Sequence, residues 1–139
     1  EETGGHRMRE VTFLTLAEAV EIHNDMVGKY GGTAGVRDYG LLQAALSVPS
    51  ATFDGRFLHE SIFDMAAAYL YHVCNNHPFL DGNKRTALAC ALVFLDTNGI
   101  VVEDPEGVLF QVAMKVAAGQ LDKPAIAAEL ERLSRPETS

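Results

Sequence analysis

Residues 61–99 read SIFDMAAAYLYHVCNNHPFLDGNKRTALACALVFLDTNG, two apolar stretches of helical period separated by a polar link. In the first, Ile62, Met65, Ala66, Tyr69, Leu70 and Val73 share one face and predict a helix from about Ser61 to Asn75. In the second, Leu88, Ala91, Leu92 and Leu95 predict a helix that starts near Asn83 and stops at Asn98-Gly99. Both faces are wide enough for central core helices.

The flanking segments continue in the same period. Thr15 with Glu18 has the form of a capping box, followed by Leu16, Ala19, Val20, His23 and Val27 and ended by glycines at 28, 31 and 32. Residues 35–49 read as a loop and a short helix, with Asp38 capping Leu41, Leu42, Ala45 and Leu46. Gly55, Phe53 and Phe57 between Pro49 and His59 suggest an irregular or hairpin-like loop. Asp104-Pro105 predicts a helix start, Asp122 ahead of Pro124 opens a last helix carrying Ile126, Leu130 and Leu133, and residues 100–102 are at most one extended segment. The expected architecture is all-α, a compact single-domain bundle of about six helices with the 77–86 loop between its two central ones.

A chain of 139 residues, 47% hydrophobic and 22% charged, is long enough for one continuous core. Residues 1–7 read as an added tag or disordered terminus, residues 8–133 as the domain and residues 134–139 as a tail. No apolar run approaches the roughly 20 residues that span a bilayer, and no secretory leader is evident, so a cytoplasmic protein without a membrane partner is expected. A net charge of −8 argues against direct nucleic-acid binding, which needs a basic face. Cys74 and Cys90 match no zinc or redox spacing and read as buried free thiols.

The link itself, His77-Pro78-Phe79-Leu80-Asp81-Gly82-Asn83-Lys84-Arg85-Thr86, carries more chemistry than a turn needs. The first N–H groups of the following helix lack intrahelical partners and sit at the positive end of its dipole, where a phosphate fits. Gly82 permits close backbone approach, Asn83 can cap or donate, Lys84 adds a compact charge and Arg85 a fork that grips two oxygens. Asp81 beside an anion pocket makes sense as a Mg²⁺ ligand bridging to phosphates, or as a helix cap. His77 is placed to take a proton from an incoming hydroxyl.

The string HPFLDGNKRTA resembles the signature of the Fic/Doc family, H-x-F-x-D/E-G/A-N-G/K-R. GVRDYGLL at 35–42 and FLDTNG at 94–99 resemble segments of its death-on-curing (Doc) branch, and the resemblance covers Met8 to about Leu133. It implies His77 as catalytic base, Phe79 as the anchor of the loop, Asp81 as Mg²⁺ ligand, and Asn83 and Arg85 as phosphate binders, with Gly82 and Lys84 beside them. Adenylyl-transferring members are similar to G-N-G-R-x-x-R, with glycine where this chain has Lys84 and arginine where it has Leu88. The lysine and the apolar residue resemble Doc toxins, which implies an ATP-dependent phosphotransferase that modifies a Ser or Thr of a translation factor, elongation factor Tu or similar. No inhibitory S/T-x-x-x-E-G/N helix is present; the nearest string, at 102–107, has valine in place of the hydroxyl. A separate Phd-like antitoxin is the implied partner.

Two other readings stand beside the kinase: a Fic-type nucleotidyl transferase acting on a protein hydroxyl, and a non-catalytic binding module. Phe53 and Phe57 are candidate target-docking residues, with packing under the loop as the alternative. Arg37 and Asp38 either border the site or form a loop ion pair or cap. Tyr69 and Tyr71 read as packing residues, and His23, His59 and His72 as scattered, structural histidines.

Overall fold

The computed structural model describes residues 10–136; the expectations for residues 1–7, for the domain's first two residues and for residues 137–139 lie outside them. The described residues form six α-helices and two small antiparallel strand pairs. In chain order the elements are α1 (Leu16–Tyr30), α2 (Tyr39–Ser47), β1 (Thr52–Phe53), β2 (Arg56–Phe57), α3 (Ile62–Asn76), α4 (Asn83–Thr97), β3 (Ile100–Val102), α5 (Val108–Ala117), α6 (Lys123–Arg132) and β4 (Ser134–Pro136). The all-α expectation holds.

Helix α3 is the hub, packed against α2, α4, α5 and α6, while α1 lies on α4. Its buried positions go nearly all the way round: Met65, Ala66, Ala67, Ala68, Tyr69, Leu70, Val73 and Cys74. A helix buried on every side is a core helix, and the alanines let its neighbours approach closely. On α4 the buried face is Ala87, Cys90, Ala91, Phe94 and Leu95. Tyr69 and Phe94 meet with ring centroids 5.0 Å apart, and Phe13 stacks on Phe94 at 5.7 Å. The Tyr69 hydroxyl accepts from the Leu14 backbone N–H at 2.9 Å, tying the segment ahead of α1 to the hub. Both cysteines are free and buried; burial pushes the Cys90 thiol up to about 12, far from a reactive thiolate.

Local capping follows the residues. Thr15 and Ser61 each close a capping box, with Glu18 and Asp64 as partners. Asp38 accepts from Leu41 N–H and Asp122 from Ala125 N–H. The loop after α2 is a hairpin whose two-residue turn, Asp54 and Gly55, has φ of 56° and 80°. Two positive φ angles are those of a type I′ turn, which Asp-Gly favours.

Three expectations are corrected. Helix α5 starts at Val108, not at Pro105, because residues 104–107 make a turn closed by Gly107 N–H on the Asp104 carbonyl at 3.2 Å. Asp104 still caps it: its carboxylate accepts the Val108 and Leu109 N–H groups, both at 2.8 Å. The segment from 134 onward is not all tail, since β4 pairs antiparallel with β3, Val101 opposite Arg135. Finally, His59 and His72 are not scattered. Lys123 Nζ lies 3.1 Å from His59 Nε2 and 3.0 Å from His72 Nε2, so an ammonium donates to both rings. Burial, and then the Lys123 charge, lowers both histidines, His72 to about 4.

Candidate active site at the α3–α4 loop

The link between the central helices is held on every side. Phe79 is 1% exposed, and its ring lies parallel to that of His23, centroids 4.0 Å apart. Asn83 clamps the same residue: its Oδ1 accepts from Phe79 N–H at 3.0 Å and its Nδ2 donates to the Phe79 carbonyl at 3.1 Å. Asn83 thus ties the loop rather than capping the helix, with one amide hydrogen left for a ligand. Residues 35–38 run alongside, with Arg37 and Asp38 N–H groups on the Pro78 carbonyl and Leu80 N–H on the Gly35 carbonyl.

His77 closes α3 in the left-handed region, φ 49° and ψ 53°. A non-glycine residue held there costs about 1–2 kcal/mol. Arg37 offsets part of this strain, donating from Nε to the His77 carbonyl at 2.8 Å and from Nη2 to the Asn76 carbonyl at 3.2 Å. A cation on the last carbonyls also suits the helix dipole. Among the described residues Arg37 therefore binds the end of α3 rather than forming a loop ion pair, while Asp38 is the α2 cap. The His77 side chain stands exposed beside the loop.

At the other end of the loop, α4 starts from Gly82 in the left-handed region, φ 75°, with no side chain capping it. Its first N–H groups are left for a ligand. A cavity of about 340 Å³ opens there, lined by Tyr30, Gly31, Gly32, Asp81, Gly82, Asn83, Lys84, Arg85 and Phe110. It contains every predicted phosphate-binding residue; His77 is not among its lining residues. Arg85 is gripped between two rings, its guanidinium carbon 4.0 Å from the Tyr30 centroid and 4.3 Å from that of Phe110.

Asp81 is steered by backbone. Its Oδ1 accepts from Gly82 N–H at 2.9 Å and its Oδ2 from Thr33 N–H at 3.2 Å. A methyl group on Gly32, where φ is 111°, would sit 2.8 Å from that Oδ2, so glycine is required for the approach. Among the described residues no group of three or more His, Cys, Asp or Glu could hold a metal ion. Asp81 would be a lone carboxylate ligand. This suits Mg²⁺, which takes one or two carboxylates and completes its shell with water and substrate phosphate.

Phe53 and Phe57 separate. Phe53 is 74% exposed on the hairpin, whereas Phe57 is half-buried with its ring 5.7 Å from Phe13, packing under the loop. Leu88 packs against the core and is absent from the cavity lining.

Sequence reasoning missed four participants: His23, Arg37 in its actual role, Tyr30 and Phe110. Only His23 left a signal, as a polar ring on the core face of α1 that had to find a partner. Its Nε2 lies 2.8 Å from the Asp81 carbonyl oxygen.

An uncapped helix start, a carboxylate and a clamped arginine thus meet around one loop of a helical domain. Residues 13–95 match the model of the Fic/DOC family, and the chain belongs to that family. It lies on the Doc branch. The chain is 42% identical over 107 residues to Toxin Doc of Mycolicibacterium smegmatis (strain ATCC 700084 / mc(2)155), covering 73% of this chain and 79% of that protein. It is 36% identical over 124 residues to Protein kinase doc of Escherichia phage P1, covering 86% of this chain and 94% of the relative.

Proposed function

We propose that this protein is a Doc-like toxin that transfers the γ-phosphoryl group of ATP to a Ser or Thr hydroxyl of a protein target, a translation factor of the elongation factor Tu kind. The carrying observation is Arg85. Among the described residues it makes no hydrogen bond or ion pair, yet its plane is fixed between Tyr30 and Phe110 in the cavity at the start of α4. A fixed guanidinium with free donors, beside unpaired N–H groups, is pre-organised for phosphate oxygens. The name of the phage relative, Protein kinase doc, supports phosphoryl transfer.

Mg²⁺ held by Asp81 would neutralise phosphate charge. The chain's own groups do the rest. A nitrogen of the His77 ring accepts the proton of the target hydroxyl as its oxygen attacks the γ-phosphorus and the bond to ADP breaks. Arg85 and the α4 N–H groups hold phosphate oxygens, and Lys84 adds charge at the rim. Lys84 lines the cavity where adenylyl-transferring members have glycine, and Leu88 supplies no second arginine. Both features support kinase chemistry over AMP transfer.

Phd-like antitoxin control and a cytoplasmic site of action belong to this reading. They are supported by the name Toxin Doc of the mycobacterial relative. Among the described residues, no helix is long and apolar enough to cross a membrane.

Incubation with cell lysate and ATP labelled at the α- or the γ-phosphate tests the proposal. A protein band labelled from the γ-position alone, and lost in His77→Ala, is the expected result. Label retained from the α-phosphate would establish nucleotidyl transfer instead. Harmless expression without antitoxin, unaffected by His77→Ala, would leave a binding module.

A further inference from the structure

We propose that His23, on α1, is the positioning residue that aims Asp81 at the phosphate cavity, an inference that rests on the phosphotransferase reading above. His23 is 1% exposed, one of two buried polar residues among those described. With a carbonyl oxygen as partner at 2.8 Å, Nε2 must carry the ring proton and donate to Asp81. The other nitrogen, Nδ1, is buried without a partner among the described residues. A buried acceptor left unpaired is destabilising, and leucine or phenylalanine would fill the same volume without it. The histidine is therefore unfavourable as packing, and its one polar contact explains why the position is not apolar.

That contact acts on the orientation of Asp81. The ring stacks on Phe79 with planes 6° apart, so the donor is rigid and its direction is set by the core. It draws the Asp81 carbonyl towards α1, on the inner side of the loop. The carboxylate then meets the N–H groups of Gly82 and Thr33. Gly32 admits the carboxylate, since a Cβ there would stand 2.8 Å from Oδ2. Helix α1 and the turn after it thus hold both ends of Asp81, backbone by His23 and side chain by Thr33. The carboxylate is presented in one orientation to a phosphate-bound divalent cation before the cation arrives.

The test compares His23→Phe, which keeps the ring and removes the donor, with His23→Gln, which keeps a donor and removes the ring. In the phosphotransfer assay, His23→Phe is expected to raise the Mg²⁺ concentration for half-maximal rate by about tenfold, with kcat largely recovered at saturating Mg²⁺. His23→Gln restores the requirement to within about threefold of the unsubstituted protein. Amide hydrogen exchange at Thr33 and Gly82 gives an activity-free readout: about tenfold faster in His23→Phe and near normal in His23→Gln. Unchanged Mg²⁺ dependence and exchange in a folded His23→Phe protein, or equal loss in both variants, would overturn the proposal. Should a variant not fold, ¹⁵N spectra of the unsubstituted protein decide it: the Nε2–H tautomer is required, and Nδ1–H as the main species refutes it. If no protein is phosphorylated at all but the exchange pattern holds, the functional reading fails and the positioning role stands.

Discussion

Replacing Asn83 by alanine separates two roles that the loop residues are assigned by different kinds of reasoning. A phosphate ligand of the ordinary sort can be removed without loss of stability, because its partner is the ligand. In the structure both polar atoms of Asn83 are instead occupied, Oδ1 by Phe79 N–H at 3.0 Å and Nδ2 by the Phe79 carbonyl at 3.1 Å. Each such bond contributes a net ~1 kcal/mol, so Asn83→Ala is expected to destabilise the protein by about 2 kcal/mol. For a domain of this size that corresponds to a fall in Tm of roughly 6 °C. Asn83→Asp sharpens the test. It retains an acceptor for Phe79 N–H but points a second carboxylate oxygen at the Phe79 carbonyl where a donor stood, and loses as much stability or more. Urea unfolding monitored by circular dichroism measures both, with phosphate titration run alongside. Stability within about 0.5 kcal/mol of the unsubstituted protein, combined with weakened phosphate binding, would refute the clamp and return Asn83 to a direct ligand role.

Because burial and Lys123 lower His72 to about 4, the unfolded chain binds a proton at this site before the folded one does; stability is complete above about pH 7 and declines as pH falls from about 6.5 towards 4. With allowance for partial exposure the loss is about 1 kcal/mol by pH 5, smaller in Lys123→Met, and a flat urea midpoint between pH 7.5 and pH 5 would contradict it. Tyr69→Phe leaves the buried Leu14 N–H without its partner at 2.9 Å and is expected to lower stability by about 1–3 kcal/mol in the same unfolding assay. On the hairpin, Phe53→Ser is expected to change stability by less than about 0.5 kcal/mol while Phe57→Ala, which loses its packing on Phe13, costs about 1–2 kcal/mol. Reduced target phosphorylation in Phe53→Ser alone would mark the docking residue.

Features that close over short spans are readable in one dimension. The capping boxes at Thr15 and Ser61, the caps at Asp38 and Asp122, and the apolar period of α3 and α4 each depend on residues within one or two turns, so they are legible in one dimension. The anion-ready start of α4 is equally local, because unpaired N–H groups, a glycine and two cations lie side by side in the chain. The late start of α5 shows the limit even there: Asp104 caps across a turn rather than from the adjoining position. Which distant groups hold that local site in working order depends on the packing of the whole domain. His23 reaches Asp81, Arg37 reaches His77, and Tyr30 and Phe110 close on Arg85, contacts set by how α1, α4, α5 and the segment ahead of α2 pack around the loop rather than by spacing. The same packing gathers His59 and His72 around Lys123 and pairs β4 with β3. Periodicity places a residue on the core side of its helix; the meeting of two helices then chooses the atom it faces. Thus α1 reads in sequence as a plain amphipathic helix, and in the folded domain it backs the phosphate site.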